Sequence, residues 1–320
     1  MEKKMTSIGG QAIIEGVMMR GSKKIAMAVR KPDGEIIIEE KEAKGIGKWA
    51  KMPILRGVVS FVSSMVTGVQ ALMFSAKFFD IEDEEDEKEK NSPKKKEKHS
   101  KEKSKNENGL SDTALYFTVF LSLMFSVGLF ILLPNFIADL IVPAGMTILY
   151  NIVENLVKIL LFIVYLVLVS KMEDIQRLFQ YHGAEHKSIF CYENGEELTV
   201  ENVKKHSRFH PRCGTSFLLF VLIISIIFFS FLPRAESFAK ILNVLINMGV
   251  RLLLMPLVAG ISYEVIKFAG KSKNKFVQML NKPGMWLQRL TTKEPDESQI
   301  EVAIASLKAV IPENGEEDKW

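Results

Sequence analysis

Four long apolar segments in the middle of this 320-residue chain constrain its fold more than any other feature. They cover residues 115–133, about 151–169, 216–232 and about 241–261. Each approaches the roughly 20 residues that an α-helix needs to cross the hydrocarbon core of a bilayer. Although 25% of the residues are charged, few of those charges fall in these segments. The pattern predicts an α-helical multi-pass membrane protein, with about four transmembrane helices in a membrane domain at residues 111–265.

The distribution of lysine and arginine predicts how the chain is oriented. The segment between the second and third apolar stretches, residues 170–214, carries seven basic residues, whereas residues 134–145 carry none. Basic residues concentrate in cytoplasmic loops, so we expect both termini and residues 170–214 in the cytoplasm of a cell (inner) membrane protein. Membrane lipids are the expected partners, and a net charge of only +4 does not indicate nucleic-acid binding.

The first 52 residues predict a small β-rich cytoplasmic unit. Residues 24–30 and 35–40 are strand-like, and the KPDG sequence at 31–34 is typical of a turn, because proline presets φ and glycine accepts positive φ. We expect a β-hairpin there. Residues 9–21, bounded by glycines, predict one apolar strand with tight turns. A glycine-lined phosphate-binding loop is the alternative, although the spacing matches no standard fingerprint.

Three further segments complete the predicted organisation. Residues 53–80 predict an amphipathic helix, with one apolar face and one face of small polar residues. We expect it to lie at the membrane interface or to pack on the membrane domain rather than to cross the bilayer. Residues 81–110 run from acidic to lysine-rich and contain almost no apolar side chain, which predicts a disordered linker. Residues 266–320 predict a cytoplasmic helical tail whose helix is capped by residues 296–298.

A histidine-rich motif with metal-ligand spacing is the strongest indication of function. His182, Glu185 and His186 form an H-x-x-E-H pattern, and His210 and Cys213 follow downstream. Residues four apart on a helix share a face, so His182 and His186 are expected to bind one divalent metal ion. Glu185 would be the catalytic general base, and His210 and Cys213 could complete the ligand shell. Imidazole and thiolate ligands favour zinc.

The number of protein ligands decides what such a site can do. Four ligands would close the shell and make the site structural, whereas three would leave a position open for water and hydrolysis. Glu193, Glu264 and His206 are further groups that could serve as base or ligand. Two alternatives need no metal. Cys213 could act as a thiol nucleophile beside His210, or the histidines could be hydrogen-bonded structure or lipid-headgroup contacts.

A polar stripe crosses the fourth apolar segment. Asn243, Asn247 and Arg251 are spaced four residues apart and therefore share one helix face. An arginine within a membrane is costly and is expected to face protein or water. Glu154 and Lys158 of the second segment are candidate neighbours. We favour a polar seam that joins the helices over the alternative, a transport path.

Four sequence blocks show a resemblance to a known family. They read GQAIIEGVMMR at residues 10–20, YHGAEHK at 181–187, RFHPRCGTS at 208–216 and PGMWLQRLTT at 283–292. With these blocks the chain resembles the YqhQ-like family of bacterial membrane proteins over nearly its whole length. The resemblance implies a multi-pass membrane protein. That family has no settled function, and a metal-dependent enzyme is the activity sometimes inferred for it.

Together, the residues favour an enzyme hypothesis. It describes a metal-dependent, hydrolytic enzyme that acts on a membrane-associated substrate at the cytoplasmic membrane surface. The alternative is a non-enzymatic membrane scaffold, regulator or transport component with a structural His/Cys site. The sequence identifies neither the substrate nor the oligomeric state.

Overall fold

Helices and one small antiparallel sheet make up the structure, a computed structural model that describes residues 5–43, 52–79, 120–122, 124–143, 145–232, 240–271 and 275–312. The chain forms two structural units. One is built from Met1–Glu82 and Leu166–Trp320, and the other from Asp83–Tyr165. The two ends of the sequence thus belong to the same unit. The predicted disordered linker at residues 81–110 lies outside the described residues.

Four strands form an antiparallel meander near the N-terminus: β1 (Gly9–Ile13), β2 (Gly16–Arg20), β3 (Lys24–Arg30) and β4 (Ile36–Glu42). The predicted hairpin of β3 and β4 is confirmed, with Gly34 at φ 88° in its turn. The single strand predicted for residues 9–21 is wrong, because the chain reverses at Glu15, which takes φ 49°. Glycine is required at Gly16 beside that turn, since a Cβ there would lie 2.2 Å from the Ala28 carbonyl oxygen.

Helices occupy most of the remaining described chain. They are α1 (Leu55–Ala76), α2 (Phe120–Ile141), α3 (Thr147–Val169), α4 (Glu173–Glu193), α5 (Val200–Lys204), α6 (Gly214–Ser230), α7 (Lys240–Lys271), α8 (Lys275–Thr291) and α9 (Glu297–Val310). Helix α2 and most of α3 belong to the second unit. Residues 170–214, predicted as a loop, are largely helical. Asp296 and Gln299 form a capping box at the start of α9, as the residues at 296–298 predicted.

Both faces of the sheet are covered within the first unit. Side chains on one face pack on α4 and α9 in a core that includes Val17, Met19, Tyr181, Ala184, Ile300 and Leu307. The opposite face packs on α1 in a core that includes Ile13, Met18, Met27 and Ala71. Successive side chains of a strand point to opposite faces, so Met18 and Met19 belong to different layers. The N-terminal sheet, the central segment and the C-terminal helix therefore share one folded core.

Among the described residues, four helices are long and apolar enough to span a membrane: α1, α2, α3 and the Leu245–Phe268 part of α7. This result confirms the predicted fold class, a helical multi-pass membrane protein with a small N-terminal sheet. The third predicted span corresponds to α6, whose apolar part, Phe217–Ser230, is shorter than the other four. Whether α6 crosses the bilayer therefore stays a prediction.

Helix α2 continues beyond the predicted end of the first apolar span. The sequence predicts a loop from residue 134, but the helix runs on to Ile141, so that part of the prediction is wrong. A π-helical turn, Gly128–Leu132, precedes Pro134. Pro134 therefore stands at the start of the next α-helical segment, where its missing N–H is tolerated.

Helix α1 contacts both the sheet and α7. A Cβ at Gly57 would lie 3.0 Å from Gly260 Cα, so these two glycines let the helices cross closely. Beside the crossing, Arg56 forms an ion pair with Glu264 through both carboxylate oxygens. Small residues at such crossings are typical of membrane helices. Helix α1 has the length and composition of a span, and its placement at the interface stays a prediction.

Candidate metal centre

The H-x-x-E-H motif lies in the middle of α4, a helix buried in the first unit. Helix α4 is separate from α3, because Met172 between them is extended, at φ −70° and ψ 134°. From Tyr181 onward most of its side chains are buried. Glu15, in the β1–β2 turn, pairs with Arg177 and accepts a 3.1 Å hydrogen bond from Tyr181 Oη. The motif is therefore presented on a helix that is anchored to the sheet.

Gly183, inside the motif, permits close approach of the segment that follows α8. A Cβ at this position would lie 2.1 Å from the Lys293 carbonyl oxygen. The Lys293 N–H donates in turn to the Phe179 carbonyl oxygen at 2.9 Å. Glycine is a poor helix former, so the requirements of packing outweigh helix propensity at this residue.

Gly183→Ala is expected to lower the free energy of unfolding, although alanine is the better helix former. A collision with backbone this close should cost about 3 kcal/mol or more, which exceeds the gain of ~1 kcal/mol in helix propensity. Thermal unfolding in detergent measures the effect. Gly249→Ala in α7 is the matched control, because nothing lies within 4 Å of the added Cβ. Equal unfolding midpoints for the two variants would contradict the prediction.

Two imidazoles and one thiol converge beside α4. His182, His186 and Cys213 each place one ligand atom within 4.8 Å of the others. His182 Nε2 lies 3.2 Å from Cys213 Sγ, and the centroids of the two imidazole rings are 4.4 Å apart. Cys213 is the N-cap of α6, so the thiol reaches the group from a different helix. Three of the four predicted ligands are thus brought together, and we call them the metal group.

Backbone carbonyls determine the tautomer of both histidines in the metal group. His182 Nδ1 lies 2.8 Å from the Thr291 carbonyl oxygen, and His186 Nδ1 lies 2.5 Å from the Arg208 carbonyl oxygen. Because a carbonyl oxygen only accepts, each Nδ1 carries a proton, and Nε2 of the neutral ring keeps its lone pair. Metal-binding histidines usually have this arrangement. Two nitrogens and one sulfur fit zinc best.

The surroundings of Cys213 favour its thiolate form. Burial opposes the charge, but His182 and His186 hold the pKa of the thiol well below its usual range. The Thr215 N–H at the start of α6 also donates to Cys213 Sγ at 3.4 Å. Burial would lower the pKa of His182, yet the thiolate beside it raises that pKa to about 9. The two groups therefore stabilise each other's charged forms, imidazolium and thiolate.

Glu185 lies beside the metal group and is buried. Its Oε2 lies 3.9 Å from His182 Nε2, and the Gly10 N–H of β1 donates a hydrogen bond to the carboxylate. Burial raises the pKa of this carboxyl. A Cβ at Gly10 would lie 2.9 Å from Glu185 Cγ, so glycine permits the close contact. The predicted base is thus held at the group by the sheet.

His210, the fourth predicted ligand, lies outside the metal group. Its Nε2 lies 3.7 Å from a carboxylate oxygen of Glu193, which also pairs with Arg212. Burial lowers the pKa of His210 to about 4. The His210 main chain exchanges two hydrogen bonds with the Gln288 side chain, at 2.8 and 2.7 Å. These contacts favour a role in positioning the loop that carries Cys213.

Sequence reasoning did not find three residues that contribute to the site. Arg208 and Thr291 act through their carbonyl oxygens, and Gln288 holds the backbone of the Cys213 loop. A carbonyl acceptor is common to every residue type, so no side-chain pattern marks it. Their positions could have marked them, because all three lie in the sequence blocks 208–216 and 283–292 that carry the family resemblance.

A second group of possible ligands lies near the C-terminal end of α4. Cys191, Glu196 and His206 each place one ligand atom within 4.8 Å of the others. His206 Nε2 lies 3.2 Å from Glu196 Oε2, and Cys191 Sγ lies 3.5 Å from the Glu197 carbonyl oxygen. Burial raises the pKa of Cys191 to about 11. This thiol is therefore protonated at neutral pH, and a protonated thiol is not the form that binds metal.

The polar stripe of α7 contacts α6. The guanidinium carbon of Arg251 lies 5.9 Å from the centre of the Phe229 ring. Glu154 and Lys158, the candidate neighbours, pair with each other on α3 at 2.6 Å. A cation–π contact between adjacent helices favours the polar seam over a transport path.

A helical membrane protein with a buried histidine–cysteine group is the class that this fold and site define. A family model described as "Protein of unknown function (DUF1385)" matches residues 52–313. The uncharacterized protein YqhQ of Bacillus subtilis (strain 168) is 35% identical over 312 residues, which are 95% of this chain and 92% of that protein. The chain therefore belongs to the DUF1385 family, as the resemblance predicted. No solved structure matches it significantly.

Proposed function

We propose that this protein is a metal-dependent hydrolase at the cytoplasmic surface of the cell membrane. The orientation of His182 and His186 carries the proposal. Both rings donate Nδ1–H to backbone carbonyls and leave Nε2 available beside Cys213. Imidazoles held in this way suit a metal centre, because the fixed tautomer presents the lone pair.

His182, His186 and Cys213 would hold the ion through two nitrogens and one sulfur. Three protein ligands are typical of catalytic zinc sites, whereas structural sites use four. A zinc ion bound there supplies Lewis acidity at its remaining coordination position. His210, which lies outside the metal group, is not needed as a ligand in this proposal.

Glu185 is the residue that would move the proton. Hydrolysis adds one water across the bond that breaks: the hydroxyl joins the acyl or phosphoryl centre, and a proton passes to the leaving atom. The Glu185 carboxylate takes that proton from water and returns it to the leaving atom, which suits a carboxyl whose pKa burial has raised. The Gly10 N–H keeps the carboxylate in position.

The membrane would supply the substrate. The distribution of basic residues supports a cytoplasmic location for both termini and for the metal group. One face of α1 exposes Val62, Met65, Val69 and Met73, each more than half exposed. The opposite face of α1 packs on the sheet, and a sheet with open polar edges is not tolerated within hydrocarbon. We therefore place α1 at the interface, with its apolar face toward lipid.

Glu185→Gln tests the catalytic role with little change in side-chain shape. Zinc-loaded protein in detergent would be assayed with fluorogenic carboxylic esters, amides and phosphate esters. Loss of a general base should lower the rate by about 10²–10⁴-fold, while the zinc content measured by elemental mass spectrometry stays the same. Glu173→Gln, an exposed carboxylate in the first turn of the same helix, is the matched control and should remain active.

The other outcomes are equally specific. Loss of zinc in Glu185→Gln would make Glu185 a ligand, and unchanged hydrolysis would contradict its role as base. A zinc-containing protein that hydrolyses none of these substrates would favour the alternative, a scaffold, regulator or transport component with a structural site.

A second candidate function uses the thiol directly. Cys213 Sγ lies 3.2 Å from His182 Nε2, and the pKa of the thiol is lowered. A thiolate beside an imidazolium is the arrangement of cysteine nucleophiles. The partner is His182, whereas the sequence had suggested His210. Activity that survives removal of zinc but is lost in Cys213→Ser would support this candidate over the zinc hydrolase.

A further inference from the structure

Two adjoining cavities lie between the sheet and α1. Their volumes are about 430 Å³ and 730 Å³. Arg20 of β2 and Thr67 of α1 line both cavities, and the hydroxyls of Ser22, Ser63 and Ser64 line one or the other. The small polar face of α1 therefore borders a space large enough for a ligand. Neither the metal group nor its supporting residues at 208–213 line these cavities.

Arg20 is the positive group shared by both cavities. Its Nη1 donates to Ser63 Oγ at 3.1 Å, and among the residues that the structure describes it forms no ion pair. Lys41, which pairs with Glu39, and Glu42 also line the larger cavity. An arginine fork flanked by hydroxyl donors suits phosphate, because phosphate oxygens accept several charge-assisted hydrogen bonds.

Glycines form part of the smaller cavity wall. Gly9 and Gly10 of β1 and Gly21 after β2 lie there, in the segment whose glycine pattern left a phosphate-binding loop open as an alternative. Glycine lets a ligand approach the backbone closely. The structure thus brings this segment, which contains Arg20, together with the hydroxyls of Ser64 and Thr67 on α1.

The larger cavity borders the apolar surface of α1. Val66 lines the cavity and is also 52% exposed, between Val62 and Val69 on the exposed apolar face. The first turn of α1 contacts α7 at Gly260, within the part of α7 that is long and apolar enough to span a membrane. A ligand with a phosphate group at Arg20 would therefore find an apolar surface for hydrocarbon beside it. This combination fits an amphiphile better than a free anion.

The smaller cavity lies one strand away from the metal group. Gly10 lines this cavity, and its N–H donates to the Glu185 carboxylate. A side chain at Gly10 would collide with Glu185 Cγ at 2.9 Å, so β1 stands between the cavity and the carboxylate beside the metal group. A headgroup in the cavity would lie next to the strand that holds the predicted base.

We infer that Arg20 and the adjoining hydroxyls bind the phosphate group of a membrane phospholipid. This inference goes beyond the proposed function, because β1 separates the lipid site from the metal group, whose residues line neither cavity. The phosphate is recognised by Arg20 and the glycine-lined wall, and the acyl chains lie along the apolar face of α1. The inference concerns binding and has a test of its own that requires no turnover.

Calorimetric titration of the full-length protein in detergent tests the inference with three probes. Short-chain phosphatidylglycerol carries phosphate and acyl chains, short-chain diacylglycerol lacks the phosphate, and inorganic phosphate lacks the chains. Phosphatidylglycerol should bind most tightly. Arg20→Gln should weaken its affinity by at least about tenfold, since a charge-assisted hydrogen bond is lost. Lys24→Gln on β3, where Lys24 pairs with Glu40 at the surface, is the matched control and should bind like wild type.

Each other result has a defined meaning. Equal binding of diacylglycerol, or unchanged affinity in Arg20→Gln, would overturn phosphate recognition by Arg20. Inorganic phosphate binding as tightly as phosphatidylglycerol would overturn the assignment to a lipid. Zinc content is measured on the same samples. Lipid binding without zinc would support the cavity while contradicting the metal proposal, and zinc without lipid binding would do the reverse.

Discussion

Replacing both His182 and His186 by alanine is expected to reduce the zinc content of the detergent-purified protein from nearly one ion per chain to background. These residues supply two of the three ligand atoms that lie within 4.8 Å of one another. The apparent free energy of zinc binding to a structural protein site is roughly 10–16 kcal/mol. Losing even a third of that energy would weaken the affinity by about 10²–10⁴-fold. Elemental mass spectrometry after purification without chelator measures the effect.

The second histidine–cysteine group supplies the control for this experiment. The double variant Cys191→Ser/His206→Ala should keep its zinc, because Cys191 Sγ already donates to the Glu197 carbonyl oxygen and His206 Nδ1 already pairs with the Asn194 amide. If this variant loses zinc while the His182/His186 variant keeps it, the metal binds at Cys191 and His206, and the proposed metal group is wrong. Wild-type protein without metal, even after zinc is added back, would contradict the metalloenzyme proposal altogether.

The two cysteines are expected to differ by orders of magnitude in reactivity once the metal is removed. The imidazoles of His182 and His186 hold the pKa of Cys213 well below the ordinary value, so its thiolate persists to lower pH than that of an ordinary cysteine. Burial raises the pKa of Cys191 to about 11, so only ~0.01% of that thiol is ionised at pH 7. Iodoacetamide should therefore alkylate Cys213 selectively, and added zinc should protect it.

The pH profile separates a lowered pKa from mere accessibility. Between pH 6 and 8 the alkylation rate of Cys213 should rise less steeply than that of an ordinary thiol with pKa ≈ 8.5, which reacts about tenfold faster per pH unit. The Cys191→Ser variant isolates the Cys213 signal, and Cys213→Ser should be nearly inert. Mass spectrometry of peptides locates the label. A Cys213 rate that rises tenfold per unit, or zinc that gives no protection, would contradict the interaction with the histidines.

Much of the secondary structure was predictable because its causes are local. The KPDG turn produced the β3–β4 hairpin, and the residues before Gln299 produced the cap of α9. The chain reversal at Glu15 was missed, because a non-glycine residue with positive φ has no sequence signature. The end of α2 was misplaced for a similar reason: a π-helical turn before Pro134 let the helix continue past a residue that usually stops one.

The candidate site was predictable in its side chains but not in its arrangement. Residue type and spacing identified His182, Glu185 and His186 as one helical face, and Cys213 as a soft ligand. Spacing could not decide between Cys213 and His210 as the third ligand, because both lie on a segment whose path depends on contacts with α8. Gln288 positions that segment, and the His210 ring lies outside the metal group.

The sequence by itself determined that this is a helical membrane protein with one concentrated site of ligand-type residues, because hydrophobic length and side-chain chemistry are properties of single segments. Only the tertiary structure decided that the first and last parts of the chain form one core around α4. It also decided that Gly183 and Gly10 leave room for neighbouring backbone and for Glu185, and that carbonyls of Arg208 and Thr291 orient the histidines. These features depend on contacts between residues distant in sequence, for which no local pattern exists.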